Sequence, residues 1–272
     1  MSYLLSELIQ GALARAGGEF FEHVTLTGGS TATFIDTNKD DAEDDMYNGG
    51  FIVVEKTTDG LAPQGEFTKI TDYDSATMTG TLSPVLSAAL GSGDIVKLVN
   101  PDLKLETVKM LANYALADAG MIALRDESLT TVDDQTEYAM PAGASLYDPI
   151  KVEIQSDLIT SGDEDWKATT AFEIEPGAAP KLRLRFVPEG GYKIAIEYYG
   201  YHPAVALYND AINENVPKTL VELVLATELF HFKGVNNDNQ NAANFVLAQL
   251  DDAKKSFRPR KQAHSNRILS WR

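Results

Sequence analysis

Four segments of the chain carry a helical apolar stripe, and they lie far apart, at residues 3–16, 101–125, 217–233 and 239–257. A stripe of this kind must be buried, and the first is too short to stand alone in water. The economical topology brings the four together and loops out the chain between them. In the first, Leu4, Leu5, Leu8, Ile9, Ala12, Leu13 and Ala16 share a face, and Gly17-Gly18 ends it. In the second, Pro101 and Asp102 mark the start, with Glu106 in the opening turns. Its apolar positions are Leu103, Val108, Leu111, Ala112, Ala115, Leu116 and Ala119, and Gly120 weakens it near its end. The last two form a hairpin turning at VNND.

The intervening stretches have a different texture. Residues 23–27, 31–37, 50–57, 65–74, 77–83 and 93–99 alternate apolar with polar side chains, and Gly28-Gly29, Asn48-Gly49-Gly50 and Gly91-Ser92-Gly93 punctuate them. A second series covers 128–141, 149–157, 166–176, 181–188 and 192–203, with clear alternation in Ile150-Val152-Ile154, Leu182-Leu184-Phe186 and Ile194-Ile196-Tyr198. The expected class is therefore α+β, a discontinuous helical bundle with two inserted antiparallel β modules, each a barrel or a sandwich. Residues 1–18 and 100–127 supply bundle helices, 19–99 the first module, 128–204 the second, a sandwich, and 205–257 the C-terminal hairpin. Residues 258–272 form a basic tail.

Charge is divided unevenly. The chain carries −17 overall, whereas residues 254–272 hold seven Lys/Arg and no acid, leaving −24 on the rest. So acidic a body repels nucleic acid over most of its surface and lets DNA slide past without gripping it. The end of the chain, RPRKQAHSNRILSWR, closes on an apolar-aromatic tip. Arg258, Arg260, Lys261 and Arg267 suit acidic or phosphate contacts, while Ile268, Leu269 and Trp271 suit an apolar pocket in a partner. With no cysteine there is neither disulfide nor thiolate chemistry, which fits assembly in a cytoplasm. No apolar run is long enough for a membrane span, and the N-terminus reads as a helix and not as a signal peptide.

Catalytic signatures do not stand out. Asp36, Asn38 and Asp40 match the first three ligand positions of a calcium loop, but Asp41 stands where that loop needs Gly and Tyr47 where it needs Glu. A solvated acidic loop is the better reading. His23, His202, His231 and His264 are scattered, and His231 on its helix reads as a packed or hydrogen-bonded side chain. No nucleotide-binding or hydrolase motif is present. Trp166 and the run Tyr198-Tyr199-Gly200-Tyr201 do not form one flat sugar platform at strand spacing, so core packing or subunit contact accounts for them better. The expectation is a protein with no cofactor, no metal and no enzymatic activity.

The stretch DDMYNGGFIVVEKTTDG, followed by GEFTKITDYDSATMTGTLSPVLSAALGSGDIVKLV, resembles a module common in virion proteins of tailed bacteriophages. Downstream, DESLTTVDDQTEYAMPAG resembles the segment that opens the β domain of phage neck proteins. IEYYGYHPAVALYNDAINENVPKTLVELVLATELF is similar to the strand-to-helix passage of the same proteins. The resemblance covers most of residues 40–255 and implies a head–tail connector, also called an adaptor or neck protein. It further implies a ring of about twelve copies beneath the portal. A helical bundle would line or surround the channel, with β modules facing outward or toward the tail. The C-terminal extension would dock into the portal protein through Arg258, Arg260, Lys261, Arg267, Ile268, Leu269 and Trp271. Partners would be other copies of the chain, the portal, tail or fibre proteins, and genome DNA passing without sequence-specific binding. The site would be the neck of the virion, assembled in the host cytoplasm. This chain departs from the smaller adaptors by its extra β module at 19–99. The alternatives are a tail terminator or fibre-attachment protein and, further off, a glycan-active enzyme on a β scaffold.

Overall fold

The computed structural model describes residues 2–39, 42–141, 149–155, 165–175, 177, 179–235 and 239–256. It is a mixed α+β structure. In chain order the elements are β1 (Tyr3–Leu4), α1 (Leu5–Ala16), β2 (Phe21–Thr25), β3 (Gly28–Gly29), β4 (Thr33–Ile35), β5 (Phe51–Lys56), β6 (Phe67–Asp74), β7 (Thr79–Ser83), β8 (Ile95–Val99) and α2 (Leu105–Asp118). There follow β9 (Ile122–Thr130), β10 (Glu137–Ala139), β11 (Pro149–Gln155), β12 (Trp166–Thr169), β13 (Phe172–Glu175), β14 (Lys181–Leu184) and β15 (Lys193–Gly200). The last elements are β16 (Ala211–Ile212), α3 (Lys218–Lys233) and α4 (Gln240–Ser256). Two compact units result, one from residues 1–119 with 203–272, the other from Gly120–His202.

In the first unit α3 touches α1, α2 and α4. Its sequence makes this necessary, because Leu220, Val221, Leu223, Val224, Leu225, Ala226, Leu229 and Phe230 are all buried and occupy every side of the helix. Helix α1 runs parallel to α3, with Glu7 paired to Lys218 at 2.7 Å and the Phe20 ring edge-on to Phe230 at 5.2 Å. The start of α1 is anchored by β1, which pairs antiparallel with β16 just before α3, and by Leu5 N–H donating to Asp210 O. Between α1 and α3 lies Glu222, buried, its Oε2 accepting from Arg15 Nε at 2.9 Å and Nη2 at 2.8 Å. Gly11 permits this, since a Cβ there would stand 2.3 Å from Glu222 Oε1.

The six expected strands of the first β region all form. With the two-residue β3 they make one antiparallel sheet in the order β2-β8-β5-β6-β7-β4-β3. The edge strands β2 and β3 are halves of one bent segment: Leu26 N–H still donates to Asp94 O beside β8, while Thr27 N–H already donates to Ile35 O beside β4. The sheet thus curls around a core of Val24, Leu26, Phe34, Ile52, Val54, Ile70, Tyr73, Leu82 and Val96. No ladder joins β2 to β3, so the barrel alternative does not hold: the corner at Leu26-Thr27 turns the strand without closing the hydrogen bonds. β5 is covered on both faces. Ile52 and Val54 enter the sheet core, and Phe51 and Val53, equally buried, face the other way, where α1 touches β5.

In the second unit, the three-stranded sheet β10-β14-β13 and the four-stranded sheet β12-β11-β15-β9 enclose a common core of Tyr138, Val152, Leu182, Leu184, Ile194, Ile196 and Tyr198. The helix expected over 101–125 starts later and ends sooner than its spacing implies, with Pro101-Asp102 in a turn ahead of Leu105. Gly120 takes φ 82, a left-handed conformation that stops α2, and Ile122–Thr130 is a strand paired with β15. The expected strand 166–176 is two strands in different sheets, parted at Thr170-Ala171, where Ala171 N–H donates to Thr169 Oγ1 at 3.1 Å.

One close approach gives a direct test. Gly80 in β7 sits opposite both Phe34 and Tyr73, and the Phe34 ring lies over it to stack on Tyr73 at 6.4 Å. A Cβ at Gly80 would stand 2.0 Å from Phe34 Cε1. Ala normally improves on Gly in a strand, but Gly80→Ala is expected to lose roughly 1–3 kcal/mol as an overpacked core. Urea unfolding should show a lowered midpoint with an unchanged slope.

Candidate interaction surfaces

The residues expected to dock, Arg258, Arg260, Lys261, Arg267, Ile268, Leu269 and Trp271, lie outside the described residues, as does His264. The first two cations of the basic stretch are described, at the end of α4. Lys254 Nζ stands 3.4 Å from Asp118 and Lys255 Nζ 2.9 Å from Asp252, so both are matched by acids of their own chain. The bond to Asp252 raises the Lys255 pKa above its ordinary value.

Apolar surface is left open on the helices. Phe245 on α4 is 63% exposed, Tyr114 on α2 62% and Phe232 on α3 50%, with Met110 one turn before Tyr114. Phe232 belongs to a built hollow. The loop after α1 brings Glu19 and Phe20, the loop after β8 brings Asn100, Asp102 and Leu103, and the end of α3 brings Phe232 and Lys233 around a cavity of about 180 Å³. Asn100 N–H donates to Phe20 O at 3.2 Å, which ties the two loops. Lys233 Nζ donates to Glu19 O at 2.6 Å and lies 5.0 Å from the centre of the Phe20 ring. A second cavity, of about 150 Å³, adjoins the first through Glu19 and Asn100 and is walled by Phe21, Met46, Tyr47, Leu98 and Pro101. Both are below the roughly 300–1,000 Å³ of small-molecule sites and match single side chains better.

On β5 the register shifts between Val54 and Lys56, and the extra residue Glu55 reaches across the sheet. Its Oε1 is 3.2 Å from Lys97 Nζ and its Oε2 2.9 Å from His23 Nδ1. Only 4% of the Lys97 side chain is exposed, and its ammonium also lies 5.3 Å from the Phe21 ring centre. This cluster satisfies a buried charge.

The second unit has a charged outer sheet face centred on Arg125. Nη1 donates to Glu153 at 2.6 Å and to Glu197 at 3.1 Å, Nε donates to Glu127, and the guanidinium lies 4.8 Å from the Trp166 ring centre. Register puts Arg125 opposite Glu197, and Glu197 opposite Lys151, so the pairs stand across strands. Partial burial works against the Arg125 charge, but the bonds to Glu127 and Glu153 outweigh it and raise its pKa. Trp166 is thus covered by a cation, and Tyr198 lies in the core while Tyr201 is exposed.

The remaining candidates resolve simply. Asp36 Oδ1 accepts from Asn38 N and Nδ2, both at 3.1 Å, a local turn at the start of the acidic loop, whose Asp40 and Asp41 lie outside the described residues. Among the described residues no three His, Asp or Glu side chains are placed to hold a metal ion. His231 is exposed, with Nδ1 3.6 Å from Glu228, and is not packed. Spacing alone puts Arg125 on a helix, where it would be a solvated cation, and the hollow around Phe20 is invisible in the sequence because its walls reach from Glu19 to Lys233. Comparison with known proteins finds no family model that matches the chain and no curated protein with a significant match.

Glu153 provides a pH test. Hydrogen bonds from Lys151 and then Arg125 lower its pKa below the ordinary 4.5. A lowered folded-state value stabilises the fold above pH 4.5, and that stabilisation is lost as pH falls through the lowered value. Glu153→Gln should therefore lower the melting temperature near neutral pH and flatten its fall on acidification. Thermal melts followed between neutral and acid pH will read this.

Proposed function

We propose that this chain is a structural virion protein, a subunit of a ring that connects the portal to the tail of a tailed bacteriophage and lets DNA pass. The observation that carries this reading is the division of charge, −24 on the body against +7 on residues 254–272. A conduit that DNA must traverse benefits from walls that repel phosphate. The basic, apolar-tipped end suits a protein groove, and Arg258, Arg260, Lys261 and Arg267 with Ile268, Leu269 and Trp271 dock it into the portal. The resemblance in motif order to phage neck proteins supports the same role.

On this reading the architecture is a discontinuous helical bundle carrying two inserted β modules, the second a sandwich. About twelve copies close the ring through one heterologous contact per neighbouring pair. The exposed aromatic residues Tyr114, Phe232 and Phe245 offer apolar area for such contacts. The protein acts in the neck of the virion, after assembly in the host cytoplasm, and has no catalytic role.

Two measurements test this. Electron microscopy of the protein with portals should show a ring of about twelve subunits, whereas a six-fold ring or a trimer would favour a tail terminator or fibre-attachment protein. A stable monomer that cleaves polysaccharide would overturn both. Truncation after Lys255 should abolish portal binding in a pull-down while leaving the circular dichroism of the folded chain unchanged, and unchanged binding would remove the tail from the mechanism.

A further inference from the structure

The paired hollows between the α1–β2 loop, the β8–α2 loop and the end of α3 have walls suited to one occupant. Their linings include Phe20, Leu103 and Phe232 in the first and Tyr47 in the second, and Glu19 and Asp102 line the first beside Lys233. Lys233 already places one ammonium over the Phe20 ring, so the aromatic surface left open to a ligand is that of Phe232, which is half exposed. The fitting ligand is an extended peptide with neighbouring apolar residues and flanking cations.

The chain carries such a peptide. Residues 267–272 read Arg-Ile-Leu-Ser-Trp-Arg. We propose that, in the free chain, this groove receives the chain's own C-terminal segment, with one apolar side chain from among Ile268, Leu269 and Trp271 in each hollow and the arginines facing Glu19 and Asp102. Geometry allows it. Helix α4 begins beside the groove, since Asn239 Nδ2 donates to Gly234 O just after Lys233. Its 17 residues then lead away by about 25 Å at 1.5 Å per residue. Residues 257–267 can span about 36 Å when extended, enough to return. Charge favours the return, because a +5 segment, residues 257–272, meets a body that is otherwise −22. This inference concerns the free chain and does not depend on what the segment meets in an assembly. A groove that holds the docking segment would keep its apolar tip covered until a partner displaces it.

These 272 residues contain no cysteine, which permits a clean test on the chain as it stands. Asn100→Cys, which lies on both hollows, is combined with Ser270→Cys, and disulfide formation under mild oxidation is timed. The comparison pair is Leu61→Cys with Ser270→Cys, Leu61 being exposed in the loop after β5, where Thr57 Oγ1 donates to Leu61 O and Thr58 N–H donates to Asp94 just before β8. The groove pair should close an intramolecular bond at least about tenfold faster, as expected for a raised effective concentration. High salt and an added Asp102→Asn should each slow it. Met46→Cys with Ser270→Cys reads the second hollow if the first variant folds poorly. Equal rates for groove and comparison pairs would overturn the proposal, and so would a product consisting mainly of disulfide-linked dimers.

Discussion

A helix that is apolar on every side cannot sit on a surface, and α3 is such a helix. Ten of its residues are buried, Glu222 and Thr227 among them. It therefore recruits α1 from the start of the chain, α2 from the middle and α4 from the end. The β modules occupy the intervals between these helices in sequence. The buried Glu222 follows from the same demand: the position faces α1, where Gly11 leaves room for the carboxylate and Arg15 supplies its counter-charge. An unpaired carboxylate there would carry a heavy desolvation cost. The sheet obeys a related constraint, because β5 is buried on both faces and joins the curled core to the helical layer.

Most elements could be read from spacing, and the misreadings have physical causes. The strand expected at 50–57 is β5 at 51–56, framed by a glycine turn in which Gly49 takes φ 88. The boundary near Arg125 could not be read, because Ile122, Leu124 and Leu129 fit a strand as well as a fading helix. What decides is β15, some seventy residues away, which offers a ladder to residues 122–130. The bend at Leu26-Thr27 is likewise a consequence of partners on two different strands.

The surfaces divide in the same way. Clustered basic and apolar residues near the C-terminus are visible in the sequence itself, whereas the groove is assembled from Phe20, Asn100 and Phe232 and exists only in the fold. Arg125 shows how tertiary context sets a residue's character. On a helix it would be one more solvated cation, but on β9 it gathers Glu127, Glu153 and Glu197 and shields Trp166. That network sets Arg125 and Lys151 against three carboxylates, so part of the negative charge of this sheet face is balanced locally.

The pairing of α1 with α3 also governs the order in which the molecule can be completed. Arg15 waits for Glu222, 207 positions later, so at ordinary synthesis speeds the side of α1 that meets α3 goes uncovered for on the order of ten seconds or more after it emerges. The unit from Gly120 to His202 has its own core and needs nothing beyond its own span to close. A ribosome-bound chain therefore holds a finished second unit while the first still lacks its central helix. Products that end before α3 would leave Leu5, Leu8 and Ile9 without the helix that packs on them. The first unit is thus completed only once α3 and the residues after it have been made.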